Sequence, residues 1–175
     1  MPASAPQTPP FATVFQEHAP RVWRALRRLG VPESDVEDVC QEVFVVVHRK
    51  LPSFEGRSAL STWIYGIATR VASDYRKKAY VRRERPTDEV PDERRSAPQL
   101  KELEREQARQ LLDEALSALS DDKRAVFVLY EIEEQSMPSI AETLKLPVQT
   151  AYSRLYAARR EVESAVRARM EGGTA

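Results

Sequence analysis

Apolar residues recur at three- and four-residue steps along almost the whole chain, and one stretch breaks the rhythm. Phe11, Val14, Phe15, Val22, Trp23, Leu26 and Leu29 keep this spacing, as do Val36, Val39, Val43, Phe44, Val46 and Val47. Leu60, Trp63, Ile64, Ile67, Val71 and Tyr75 follow the same rule. The spacing gathers apolar side chains on one face of a helix, whereas a strand would alternate them. Over residues 81–98 the pattern is lost, and Pro86, Pro91 and Pro98 punctuate a mixed-charge run, the composition of a linker. It resumes at Leu100, Leu103, Leu111, Leu112, Ala115, Leu116 and Leu119. The expected fold is therefore all-α: two small helical domains joined by a flexible linker. Residues 1–10 form a disordered tail, 11–80 the first domain, 81–98 the linker and 99–171 the second domain.

Local signals place the helix ends. Pro20 is expected to start a new turn within the first helical segment, because its ring removes one backbone donor. Gly30 ends that segment. Ser34 with Glu37 has the spacing of a capping box and opens the next helix. Leu51 to Arg57 reads as a loop, and Ser58 as the N-cap of a third helix. Ser120 is expected to cap a helix carrying Val126, Phe127, Leu129, Tyr130 and Ile132. Ser136 to Leu144 is a short helix, Lys145 to Pro147 a tight break, and a long helix runs from Val148 to about residue 169. Two helices joined by so short a turn have helix-turn-helix spacing. Ile140, Ala141, Leu144, Leu146, Ala151 and Leu155 would form its small core. On the long helix the stripe Val148, Ala151, Leu155, Ala158 and Val162 is expected to face inward.

Charge and reactive residues narrow the function. Lys plus Arg and Asp plus Glu both number 27, so the formal net charge is zero. The charges are segregated nonetheless. Glu33, Asp35, Glu37, Asp38 and Glu42 are acidic, Arg76, Lys77, Lys78, Arg82, Arg83 and Arg85 are basic, and a second basic group spans Arg154 to Arg169. Opposed patches on a neutral chain suit one basic and one acidic partner. Cys40 is the only cysteine, which bars an internal disulfide and suits a reducing compartment; it reads as a core residue. His18 and His48 are too far apart in sequence to suggest a metal site, and no cofactor or metal is expected. Met1 to Pro10 has neither the basic start nor the apolar core of a signal peptide. A cytoplasmic protein without membrane insertion is expected. No Gly-rich phosphate loop or nucleophile–base pair is visible, so catalysis is not expected.

The order of four segments then becomes recognisable. Asp35 to Phe44, Phe54 to Ala68, Leu119 to Leu129 and Thr150 to Arg159, with a proline-rich linker after the second, resemble the extracytoplasmic-function sigma factors of RNA polymerase, regions 2 and 4. The resemblance covers roughly residues 11–170. It implies that the first domain docks on core RNA polymerase through Asp35, Asp38, Gln41, Glu42 and Arg49. It implies that Phe54, Arg57, Ser58, Trp63, Arg70, Asp74, Arg76 and Lys77 open and hold the −10 promoter element. The second domain would read the −35 element as duplex through Gln149, Thr150, Tyr152, Ser153, Arg154, Tyr156 and Arg159. Tyr152, Ser153 and Tyr156 would meet base edges, and Arg154 and Arg159 the backbone. An anti-sigma protein is an implied partner, and a monomer the implied state. The chain departs from the family pattern at Arg57, Arg70, Asp74, Tyr152 and Ala157, and at Lys145, where Gly is usual in the turn.

Simpler readings stand beside these roles. The acidic row also suits a solvated helix face, and the run from Arg76 a helix C-terminus, where positive charge is favourable. Trp63 and Tyr65 could be core. Arg154 and Arg159 could pair with Glu161 or Glu163 on their own helix. Two other functions remain open at this level: a helix-turn-helix regulator binding an operator as a dimer, and a protein-interaction adaptor.

Overall fold

The computed structural model describes residues 9–83 and 100–172, apart from the side chains of 82, 83, 100–104 and 172. The first half holds α1 (Phe11–Arg28), α2 (Val36–Lys50), a short 3-10 turn (Leu51–Ser53) and α3 (Leu60–Arg83). The second holds α4 (Leu100–Ser117), α5 (Asp121–Phe127), a π-helical segment (Val128–Ile132), α6 (Met137–Leu144) and α7 (Val148–Gly172). No strand occurs among the described residues.

In the first half, α1, α2 and α3 pack on one another around Val14, Val22, Leu26, Val36, Val43, Val47 and Ile64, all almost wholly buried. Burying an aliphatic side chain of this size stabilises by about 1.5–3 kcal/mol relative to exposure, so this stripe supplies the core of the module. Pro20 lies inside α1, which continues through it as one helix instead of starting a new turn. Two α1 residues that share the apolar spacing, Phe15 and Trp23, stay exposed. The α2 start differs from the expected capping box: Asp35 holds the N-cap position without a side-chain cap bond, and Ser34 Oγ donates to Asp35 Oδ1 at 2.7 Å. With its hydroxyl turned to that carboxylate, Ser34 does not cap a backbone amide. Helix α3 starts two residues after Ser58, its first turn closed by the Trp63 amide on the Ala59 carbonyl at 3.1 Å. It also runs three residues into the expected linker. Nothing before Pro86 bars a helix, and cations at a helix C-terminus are favourable. Residues 1–8 of the expected tail and 84–98 of the expected linker lie outside the described residues.

In the second half, Ser120 sits at the N-cap of α5 with no side-chain cap bond. The helix expected through Ile132 instead widens into the π-helical segment, in which the Glu133 amide reaches the Val128 carbonyl at 3.0 Å. Ser136 caps α6, its hydroxyl accepting from the Ser139 amide at 3.4 Å. Lys145 then takes the left-handed conformation, φ 54° and ψ 50°, and its neighbour Leu146 returns an amide to the Ala141 carbonyl at 2.9 Å. This closes the turn between α6 and α7 without glycine. Ile140, Ala141, Ala151 and Leu155 are buried, and Leu144 and Leu146 pack partly buried against them. Val148, expected inward, is exposed. It is the first residue of α7, where no preceding turn of the helix holds it against the core.

The halves share their cores. Ala25 and Tyr65 of the first half belong to the apolar cluster of Val126, Leu129, Met137, Ile140 and Leu155. Leu116, Leu119, Val128 and Ala158 join the cluster of the first half. Polar contacts bridge the same seam. Thr62 Oγ1 donates to Gln135, and Tyr65 Oη donates to Glu133 Oε2 at 2.5 Å. Arg28 lies 3.6 Å from Glu133.

Candidate polymerase and nucleic-acid interface

Helix α2 turns its apolar stripe to α1 and α3 and leaves Asp38, Gln41, Glu42 and Arg49 exposed. Asp35 stands apart from this row. Half-buried at the helix start, it accepts from Tyr75 Oη of α3 as well as from Ser34. Cys40 is buried in the α2 stripe, and burial with the nearby Glu37 carboxylate pushes its thiol above the ordinary range. Beside the exposed row opens an apolar groove of about 820 Å³ floored by Phe11, Phe15, Phe44 and Val45. The His48 ring stands edge-on to Phe11 at 4.7 Å, a partner that spacing alone does not show.

The loop before α3 presents Phe54, which packs ring against ring on Trp63 in the first turn of α3 at 5.1 Å with an interplanar angle of 48°, both half-buried. Arg57 is exposed and pairs with Glu55. Ser58 is half-buried. Along α3, Arg70, Asp74 and Lys77 are exposed and recur at helical steps, so they share one face. Arg76 is half-buried and pairs with Asp121 of α5. Of the remaining basic run, the side chains of Arg82, Arg83 and Arg85 lie outside the described residues.

On α7, Gln149, Ser153, Tyr156 and Arg159 are exposed, and Thr150, Tyr152 and Arg154 are half-buried. Tyr152 and Tyr156 stack at 6.2 Å, and Ser153 Oγ donates to the Gln149 carbonyl at 3.0 Å. Neither arginine pairs along its own helix. Arg154 meets Asp122 of α5 at 2.8 Å. Arg159 donates to Glu131 at 2.6 Å and lies over the Tyr130 and Tyr156 rings. The Glu131 hydrogen bond holds its guanidinium above the ordinary arginine range.

Candidate residues of both domains thus come together. Arg70, Asp74, Arg76 and Lys77 of α3 face Asp121, Asp122 and Arg124 of α5 and Arg154 of α7 across a cleft of about 270 Å³. Arg124 is buried there, donating to the Leu29 carbonyl at 3.3 Å and the Leu119 carbonyl at 3.2 Å. Burial lowers its pKa to about 10, which leaves it charged at neutral pH. Tyr65 is pushed the other way, upward, by burial and by its bond to Glu133. Arg124, Asp121, Asp122 and Glu131 were not expected at the site. The only signal is a charged residue inside an apolar stretch, and spacing does not reveal what Arg124 would touch.

A three-helix module with an acidic exposed row, followed by a helix-turn-helix module, defines a two-region transcription factor of the sigma-70 type. Family models agree, region by region: Sigma-70 region 2 matches residues 14–82 and Sigma-70, region 4 matches residues 109–162. The chain belongs to the ECF family of sigma factors. It is 35% identical over 147 residues to the ECF RNA polymerase sigma-E factor of Escherichia coli (strain K12), covering 78% of this chain and 76% of that protein. The sigma-E factor of Haemophilus influenzae is 31% identical over 147 residues, covering 78% of this chain and 77% of that protein. Among solved structures, CnrH in complex with the cytosolic domain of CnrY superposes with a TM-score of 0.66 at 27% identity, covering 90% of this chain and 88% of that one. The sigma factor RpoE of Bartonella quintana, solved with the anti-sigma factor NepR, shares the fold with a TM-score of 0.66 at 20% identity, covering 90% and 96%. Among the described residues, no helix is long and apolar enough to cross a membrane.

Proposed function

We propose that this chain directs core RNA polymerase to promoters and starts transcription, acting in the cytoplasm without catalysing a reaction itself. One observation carries the reading: a single chain pairs an exposed acidic helix row with a helix-turn-helix, and both lie within matched sigma regions. A duplex-binding regulator needs only the second of these. Asp38, Gln41, Glu42 and Arg49 are assigned to the polymerase, with Asp35 fixing the row against α3 through Tyr75. Phe54, Arg57, Ser58 and Trp63, with Arg70, Asp74, Arg76 and Lys77, are assigned to the −10 element. Unstacked bases are gripped by aromatic rings beside cations, and the Phe54–Trp63 pair offers such rings. Gln149, Thr150, Tyr152, Ser153 and Tyr156 are assigned to −35 base edges, and Arg154 and Arg159 to phosphates. An anti-sigma protein is the expected regulator.

The test is run-off transcription with purified core polymerase on a pool of genomic promoters, with sequencing of the starts. New starts that appear only with the chain, and share spaced −35 and −10 elements, are expected. Starts identical with and without it would overturn the reading.

A further inference from the structure

The outward positions in the first two turns of α7 include Gln149, Tyr152, Ser153 and Tyr156, and none of these carries a cation. Arg154 and Arg159, the nearest arginines, are held by carboxylates of other elements, Asp122 and Glu131. Guanine is most often read by a forked cation, so this face lacks the group that best selects it. Gln149 carries the amide that pairs with adenine. The Ser153 hydroxyl spends its proton on the Gln149 carbonyl at 3.0 Å and can only accept from a base. Most of the remaining surface is two aromatic rings.

The rings are braced within the protein itself. Tyr152 packs by one side on the helix-turn-helix core. Tyr156, more than half exposed, stacks on Tyr152 with centroids 6.2 Å apart and an interplanar angle of 22°. Arg159 lies over the Tyr156 ring at 5.8 Å and over the Tyr130 ring at 5.7 Å, an attractive placement for cation and ring, and Glu131 fixes it through Nε at 2.6 Å. Rings so held lose little freedom on meeting DNA and present apolar surface to the major groove. The group they suit there is the 5-methyl of thymine, which no other unmodified base carries. We infer that the −35 face of α7 selects 5-methylpyrimidines, with Tyr152 and Tyr156 each seating the methyl group of a thymine and Gln149 reading adenine beside them. Ring centroids 6.2 Å apart put the two methyl groups about two base-pair steps from one another, at roughly 3.4 Å per step. The methyl of 5-methylcytosine occupies the same place in the groove, so a methylated cytosine should substitute for thymine. The inference rests on the assignment of α7 to the −35 duplex made above.

The test uses holoenzyme assembled from purified core polymerase and the full chain. Transcription from a randomised −35 library first gives the preferred element. Each thymine of that element is then replaced singly by deoxyuridine, which removes only the methyl group, and the rate of starts is measured at limiting holoenzyme. Deoxyuridine is expected to lower the rate about fourfold at two thymines, the effect of burying one methyl-sized group, and to change little at the others. At those two positions cytosine should lower the rate and 5-methylcytosine recover part of it. Tyr152→Ala should abolish the deoxyuridine penalty at one position and Tyr156→Ala at the other. Tyr152→Phe and Tyr156→Phe, which keep the ring and lose the hydroxyl, should retain it. A penalty lost in the Phe variants would mean that the hydroxyl reads the base, and would overturn the inference. So would deoxyuridine without cost at every thymine, penalties unchanged in both Ala variants, or guanine preferred at the pairs those variants release. A holoenzyme that starts at no promoter would overturn the functional assignment, and this inference with it. One that starts but is blind to the methyl groups overturns the inference alone.

Discussion

At the scale of single residues, the assignments separate base reading from backbone holding. Tyr152 offers a ring and one hydroxyl; it cannot make the bidentate pair that Arg makes with guanine. Arg154→Ala should weaken every promoter about equally and flatten the salt dependence by about one phosphate. Tyr152→Ala or Ser153→Ala should shift the preferred −35 sequence by roughly 1–3 kcal/mol at one base pair. Transcription from a randomised −35 library decides, and a reshaped preference in Arg154→Ala alone would reverse the assignment. Lys145 allows a stability test. A side chain at φ 54° clashes with the backbone in a way glycine does not, partly offset by glycine's freedom in the unfolded chain. Lys145→Gly should therefore stabilise by about 0.5–1 kcal/mol, read by urea unfolding; a loss of stability would mean that Lys145 makes a contact which outweighs its backbone cost.

At the scale of elements, periodicity carries most of the information. The buried stripes of α2 and α7 were legible because a helix repeats its contacts every three or four residues, and Val43, Val47, Leu155 and Ala158 keep that step. Element ends were less legible. Ser34 and Glu37 have capping-box spacing, but Asp35 competes for the Ser34 hydroxyl. Val148 has the right phase and the wrong position, one turn too early to be covered. The π-helical segment left no trace in the pattern, since one wide turn shifts the phase only locally. Among candidate site residues, exposed rows could be read directly, whereas the partners of Arg76, Arg154 and Arg159 lie 28 or more residues away and have no sequence signature. Helix α2 yields a prediction of its own. Asp38→Lys with Glu42→Lys should abolish most core-polymerase binding in a pull-down while unfolding changes by less than about 0.5 kcal/mol per site, as is usual for exposed charges. Undiminished capture by the folded variant would remove this row from the polymerase interface. Leu155→Ala on α7 should destabilise by about 2–5 kcal/mol through the cavity it leaves, measured by urea unfolding; a cost under about 1 kcal/mol would mean that the helix-turn-helix core collapses around the gap.

For the whole molecule, zero net charge gives little overall counterion-release drive toward DNA. Before polymerase joins, only local patches favour binding. Tight, sequence-specific capture of a promoter duplex by the lone chain at physiological salt would favour an operator-binding regulator instead. The shared cores have a further consequence, for modularity. Ala25 and Tyr65 complete the apolar cluster of the promoter-reading half, so that half is not a self-contained unit that can be transplanted. A chimera carrying residues 99–172 behind the first region of another relative would keep its reading helix but lose those two covering side chains. It should bind an apolar dye and melt earlier than the parent, and restoring alanine and tyrosine at the equivalent seam positions should recover the lost melting temperature. The specificity of such a protein is grafted more safely by exchanging exposed residues of α7 than by exchanging whole regions.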